Sequence, residues 1–212
     1  IDGAYGAPAA GTAKAKELFK GLDRADSVTI DAHKWLFVPK ACSIVLMKDY
    51  EPLVRTFSHN EAYMPHDADE PNAVDITLEY SRPVRALKMW MGFAAHGADE
   101  FESAITRNLE LAELTYDIAS ESNDFRVLPR RPQLSIVPIQ YNPAGVKDVS
   151  GLNRSIYEAI LEDGRIYLSP ATIDGETWLR PCYTNFRTTS TDVTAMFEVI
   201  RDLGRRLAPE YS

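Results

Sequence analysis

Two cysteines and four histidines are all that 212 residues provide. Cys42 and Cys182 fit no CxxC or zinc spacing, and His59, His66 and His96 show no ligand spacing, so no metal site is expected. Thiols this few point to a reduced, cytoplasmic setting. Also missing is any apolar run near the roughly 18 to 20 residues a membrane helix needs, since even Trp35 to Val38 is broken by Pro39 and Lys40. No signal-peptide pattern is visible. The net charge of −8 comes without a Lys/Arg block or basic stripe, which argues against nucleic acid as a partner. No internal repeat or low-complexity tract is present. What remains, 45% hydrophobic and 25% charged, suits one large core or two small ones.

The chain opens abruptly. Ile1-Asp2 reads as the end of a buried strand followed by a Gly/Ala-rich turn, so the preceding part of the fold is expected on another chain, removed by cleavage, or left off this one. Thr12 to Leu22 predicts a helix capped by Thr12, burying Leu18 and Phe19 and stopped by Gly21. Residues 27–30 and 41–47 predict strands. Helix and strands in alternation predict an α/β layer with parallel strands covered on both faces. Residues 58–77 are polar, lack an apolar period and read as a long, mobile, functional loop. From Arg82, Val84, Leu87, Met91, Ala94 and Ala95 recur at helical spacing, and after Gly97 so do Phe101, Ile105, Leu109, Ala112 and Tyr116. Two helices or one kinked helix follow. The rest predicts a smaller α+β unit with strands over 134–139, 166–168 and 178–183, the last two separated by a turn at Asp174-Gly175. Helices are expected over 148–162 and through Val193, Phe197, Ile200, Leu203 and Leu207, the latter with Thr191 or Asp192 near its N-cap.

The stretch Thr29-Ile-Asp-Ala-His-Lys-Trp-Leu places a lysine just after a strand. An unpaired ammonium is costly at the end of a buried strand and tends to lose its proton there, and a neutral amine can attack an aldehyde. Pyridoxal-phosphate (PLP) enzymes use this chemistry. Asp2, in Ile-Asp-Gly-Ala-Tyr-Gly, precedes Lys34 by 32 positions at the end of the first strand. A carboxylate there can keep a pyridinium nitrogen protonated by charge-assisted pairing, and small Gly3 and Ala4 would let the ring lie close to the backbone. Asp2 also suits an Asx turn at a strand end.

Asp-Gly-Ala-Tyr-Gly, the segment from Ala25 to Leu36, and Ser81-Arg-Pro-Val-Arg-Ala-Leu-Lys-Met-Trp together resemble the group II PLP-dependent decarboxylases. That family includes the aromatic-L-amino-acid, tyrosine and glutamate decarboxylases. The resemblance runs in register along nearly the whole chain. It implies the α/β fold-type-I, aspartate-aminotransferase-like scaffold. Residues 1–88 would be the C-terminal part of the large, mostly parallel PLP-binding domain, and 89–212 the α+β small domain. It further implies Lys34 as the Schiff-base lysine, Asp2 as the pyridinium partner, Ala4 against the ring face, and Asp31 and His33 near the phosphate. Many relatives carry Asn at position 31; an aspartate there would repel a phosphate. Ser81 falls where the neighbouring subunit approaches the phosphate, implying a homodimer with shared active sites. Tyr63, in the polar loop, would return a proton to the carbanionic carbon. A tyrosine here favours simple decarboxylation over oxidative aldehyde formation.

Arg180 and Arg187 are candidates for a substrate carboxylate, with a structural ion pair as the blander reading. The implied activity is decarboxylation of an L-amino acid, aromatic by preference. The missing N-terminal half of the enzyme is the expected partner. A PLP-dependent carbon–carbon lyase or amine-oxidising aldehyde synthase is the alternative chemistry, and a non-catalytic interaction subunit the alternative of another class.

Overall fold

A computed structural model describes residues 1–59 and 72–212. They divide into two compact units, Ile1–Pro8 with Phe19–Gly97, and Ala9–Leu18 with Ala98–Ser212.

In the first unit, β1 (Ser27–Ile30) and β2 (Ile44–Met47) pair antiparallel, with Ile30 opposite Ile44. Parallel pairing is confined, among the described residues, to a bridge between Asp2 and Thr29. The connection between β1 and β2 holds a single helical turn, α1 (Ala32–Trp35). That is too little for the helix-sized crossover a parallel pair requires. Ala32, Val38 and Cys42 form the buried cluster here, with Leu36, Ile44 and Met89 packed against it. Trp35 is fully buried, and its ring stacks on Tyr5 with centroids 5.1 Å apart and planes 4° from parallel. Such offset aromatic contact ties the Gly/Ala-rich turn to α1. A short helix, α2 (Glu51–Phe57), follows β2, with a proline in its first turn, where no donor is lost.

The helix expected over residues 12–22 is replaced by short 3-10 turns at Ala7–Gly11, Lys16–Phe19 and Leu22–Arg24. Thr12 explains the difference. Its hydroxyl donates to the Ala9 carbonyl at 2.8 Å and accepts from the Ala15 N–H at 3.1 Å, local bonds that compete with a helical ladder. Thr12 and Ala15 are buried while Leu18 is exposed, the reverse of the expected face. Farther on, the helical stretch α3 (Arg85–Glu121) consists of two helices joined at Gly97, whose φ of 75° and ψ of 163° only glycine adopts readily.

The second unit contains an antiparallel sheet in the order β3-β4-β6-β5, formed by β3 (Phe125–Val127), β4 (Ile139–Tyr141), β5 (Ser169–Ile173) and β6 (Glu176–Arg180). The strand expected at 134–139 begins only at Ile139, and Ile136 makes a lone bridge to Cys182. Pro138, which has no N–H to give the ladder, accounts for the late start. The strand expected at 166–168 is displaced to β5, an edge strand and therefore tolerant of Pro170. The β5–β6 turn puts both Asp174 (φ 51°) and Gly175 (φ 82°) in the left-handed region, the requirement of a type I′ hairpin.

Helices α4 (Val149–Asp163) and α5 (Ser190–Leu207) complete the unit. Asp148 caps α4 by accepting from Gly151 N–H. Thr189, rather than Thr191 or Asp192, caps α5, with Asp192 closing a capping box. Ile139, Leu152, Ile156, Ile160, Leu179 and Ile200 are fully buried in a continuous core. Among the described residues, no helix is long and apolar enough to cross a membrane, and no group of three or more His, Cys, Asp or Glu is placed to hold a metal.

Candidate active site

The Asp2–Thr29 bridge is continued by backbone bonds from Gly3 N–H to Thr29 O (3.0 Å) and from Asp31 N–H to Ala4 O (3.1 Å). Asp2 and Asp31 therefore stand at the same end of neighbouring strands, with α1 carrying His33 and Lys34 immediately beyond. The segments around Asp2 and Asp31, distant in sequence, are brought side by side by this pairing. Gly3 is required by the chain itself: a Cβ there would lie 2.6 Å from Ala7 Cβ and 2.9 Å from Thr29 O. Its smallness therefore serves the packing of the turn against β1.

Asp2 Oδ1 accepts from Ala4 N–H at 3.0 Å, the Asx-turn geometry, while the residue stays exposed. Turn formation and a second role are compatible, because a carboxylate has two oxygens and about four lone-pair sites.

Asp31 precedes α1 in extended geometry but makes no side-chain cap bond. Its carboxylate is engaged elsewhere. Oδ2 lies 2.8 Å from Lys34 Nζ and 3.9 Å from His33 Nε2, and Oδ1 accepts from Ser43 Oγ at 2.5 Å. The Lys34 ammonium and the Ser43 hydroxyl hold the Asp31 carboxyl below the usual carboxylate range, against a smaller opposing effect of burial. The Lys34 side chain is 45% exposed, so its nitrogen is reachable. His33 is more enclosed, and its Nδ1 lies 2.9 Å from Cys42 O and 3.3 Å from Cys42 N, which satisfies the ring in either tautomer.

Ser43 is not singled out by the sequence, and Cys42 only for its lack of metal spacing. The signal that finds them is the β1–β2 register: with Ile30 opposite Ile44, the next antiparallel pair is Asp31 with Ser43. Ser81, in the same unit, is exposed in an irregular segment braced by Arg82 to Thr77 Oγ1 (2.6 Å) and by Arg85 to both Glu79 oxygens (2.6 and 3.0 Å). Arg85 holds the Glu79 carboxyl below its ordinary value. Tyr63 and most of the 58–77 loop lie outside the described residues.

Arg180 and Arg187 belong to the second unit. Arg180 ends β6 opposite Ser169, half-buried, and its Nε is buried without a hydrogen-bond partner among the described residues. Arg187 is exposed, its guanidinium 5.3 Å from the Phe186 ring centroid. Neither makes an ion pair among the described residues.

A lysine one turn beyond a strand, with an aspartate at the end of the neighbouring strand, is compatible with the class of fold-type-I PLP-dependent proteins. Residues 1–141 match the pyridoxal-dependent decarboxylase conserved domain, and the chain belongs to that family, whose cofactor is pyridoxal phosphate. An aromatic-L-amino-acid decarboxylase of Bacillus atrophaeus is 31% identical, over 99% of this chain and 45% of that protein. A phenylacetaldehyde synthase of Arabidopsis thaliana is 27% identical, over 85% of this chain and 38% of that protein. The crystal structure of Oryza sativa TDC with PLP and tryptamine superposes with a TM-score of 0.89 at 21% identity, over 98% of this chain and 44% of that one. This likeness shows the fold-type-I fold. The chain spans less than half the length of the relatives it matches.

Proposed function

We propose that the chain is the cofactor-anchoring portion of an enzyme that decarboxylates an L-amino acid to the amine and CO2. The observation that carries this reading is the bridging of Asp2 to β1, which sets a carboxylate and a reachable primary amine at one strand edge. These groups fit pyridoxal phosphate, an aldehyde whose ring nitrogen works best protonated. When bound, the cofactor supplies an electron sink for the pair left behind by the departing carboxyl group.

Lys34 anchors the cofactor through its side-chain nitrogen. The exposed Asp2 carboxylate keeps the proton on the ring nitrogen by charge-assisted pairing, its turn already fixed by the bond to Ala4 N–H. Ala4 leaves space beside the ring face, and His33, held by Cys42, stands next to the anchor. Asp31 enters through Lys34 rather than through the phosphate, because two anions repel. Ser81 faces the phosphate side in a homodimer with shared sites. Tyr63 or Lys34 returns the proton to the carbon that lost CO2. Arg180 is the better candidate for the substrate carboxylate, since its buried Nε is a donor that a carboxylate would satisfy; Arg187 is the second.

The same reading takes 1–88 as part of the large cofactor domain and 89–212 as the small domain. It also takes the N-terminal portion that relatives carry as the structural partner, and the cytoplasm as the setting. An aromatic substrate is supported by the similarity to the Bacillus atrophaeus aromatic-L-amino-acid decarboxylase. A second reading, oxidative aldehyde formation, is supported by the similarity to a phenylacetaldehyde synthase. Incubating the complete enzyme with phenylalanine, tyrosine, tryptophan, DOPA and glutamate separates them. Amine with CO2 from an aromatic substrate is expected; aldehyde with ammonia and peroxide moves the assignment to the second reading, and turnover of glutamate alone removes the aromatic preference.

A further inference from the structure

Lys34 is held by a carboxylate three residues before it, and that carboxylate is itself fixed from the opposite strand. Ser43 Oγ donates to Asp31 Oδ1 at 2.5 Å while Lys34 Nζ lies 2.8 Å from Oδ2, so each oxygen has its own partner. The backbone of Asp31 is also pinned, its N–H bonded to Ala4 O and its carbonyl accepting from Lys34 N–H at 2.9 Å. Asp31 is thereby anchored independently of the lysine. Among the described residues, the titratable groups facing the carboxylate are Lys34 and, at 3.9 Å, His33.

We propose that Asp31 is a positioning residue acting on Lys34, a latch that holds its ammonium at the strand edge and must release it before the nitrogen can bond to an aldehyde carbon. This rests on Lys34 as the cofactor anchor. In the capture step the carbon–nitrogen double bond forms and the aldehyde oxygen leaves as water with two of the three ammonium hydrogens, the third proton passing to solvent. A nitrogen held 2.8 Å from Asp31 Oδ2 must leave that partner before it can approach the aldehyde carbon. The latch thus slows capture and keeps the unloaded lysine from reacting with unrelated electrophiles.

The pair is partly exposed, which limits its strength. Solvent and salt screen such a pair, so the expected change is modest, roughly threefold. Trace acetylation of the 212-residue chain with acetic anhydride at pH 8, read by peptide mass spectrometry, gives Lys34 reactivity relative to Lys40 and Lys48. Asp31→Asn is expected to raise Lys34 labelling roughly threefold, Asp31→Glu to restore much of the wild-type value, and 1 M salt to raise labelling in wild type but not in Asp31→Asn. A purely structural role for Asp31 would not produce that salt contrast. Circular dichroism of each variant confirms that its fold is retained. Should one fail to fold, Ser43→Ala, which loosens the carboxylate without removing it, is expected to raise labelling by a smaller factor. Equal Lys34 labelling in wild type and Asp31→Asn at low salt overturns the latch. Borohydride reduction with pyridoxal phosphate tests the anchor separately: an adduct elsewhere than Lys34 overturns the cofactor role, while the acetylation contrast still reports on the latch.

Discussion

The two units divide labour unevenly. In the second, nineteen buried residues from α3, α4, α5, the sheet and its flanking segments form one continuous core, whereas the described residues of the first gather Ala32, Val38 and Cys42 into a small cluster beside α1. Burial of apolar surface is the dominant stabilising term, so folding stability should reside mainly in the second unit. The chemistry should reside in the first, where Asp2, Asp31, His33 and Lys34 remain reachable at a strand edge. A well-packed core tolerates little change, but a thinly packed edge can rearrange around a ligand.

The largest expected effect breaks function and spares the fold. In the complete enzyme, Lys34→Ala should abolish decarboxylation while leaving the urea-unfolding midpoint of the 212-residue chain unchanged, because the removed side chain is half-exposed. The converse follows from Ile139, fully buried in the centre of the sheet: Ile139→Ala should lower unfolding free energy by about 2 to 5 kcal/mol in urea titrations, without moving borohydride trapping at Lys34.

Alkaline pH sharpens the contrast further. Burial pushes the Tyr183 phenol up to about 12, with Thr115 Oγ1 2.5 Å away. A folded-state value above the unfolded one means stability is intact below pH 10 and declines as pH rises toward 12, because the unfolded chain ionises first. The loss should reach roughly 2 to 3 kcal/mol, since one unit is about 1.4 kcal/mol, and Tyr183→Phe should remove most of that pH dependence. Thr115 keeps the Leu111 carbonyl as a partner in this variant, so its cost at neutral pH should be small. The smallest effect concerns the α5 capping box, where Thr189→Ala should cost about 1 kcal/mol by thermal or urea unfolding.

How far the sequence reveals this molecule depends on whether the signal is local. Helices α4 and α5 are legible because their apolar period and caps are written in consecutive residues, and Gly97 announces the break in α3. The helix expected over 12–22 fails because Thr12 bonds to its own neighbours in a way that propensity does not display. β3 is three residues long, too short to carry a period. Within the candidate site, Lys34 and Asp2 are legible as a motif, but the partner Ser43 is not. Its place opposite Asp31 follows only from an antiparallel register, and the sequence pointed instead to parallel strands. The need for Gly3 is likewise invisible in the sequence, because the Ala7 and Thr29 atoms that exclude a Cβ there are set by the fold.

Everything proposed about chemistry depends on a covalent link between one nitrogen and the vitamin-derived aldehyde. Incubating the complete enzyme with pyridoxal phosphate, reducing with borohydride and mapping tryptic peptides reads that link directly. The account predicts a single stoichiometric pyridoxyl adduct at position 34. An adduct confined to other lysines, or none in protein shown to be folded and saturated, would contradict it.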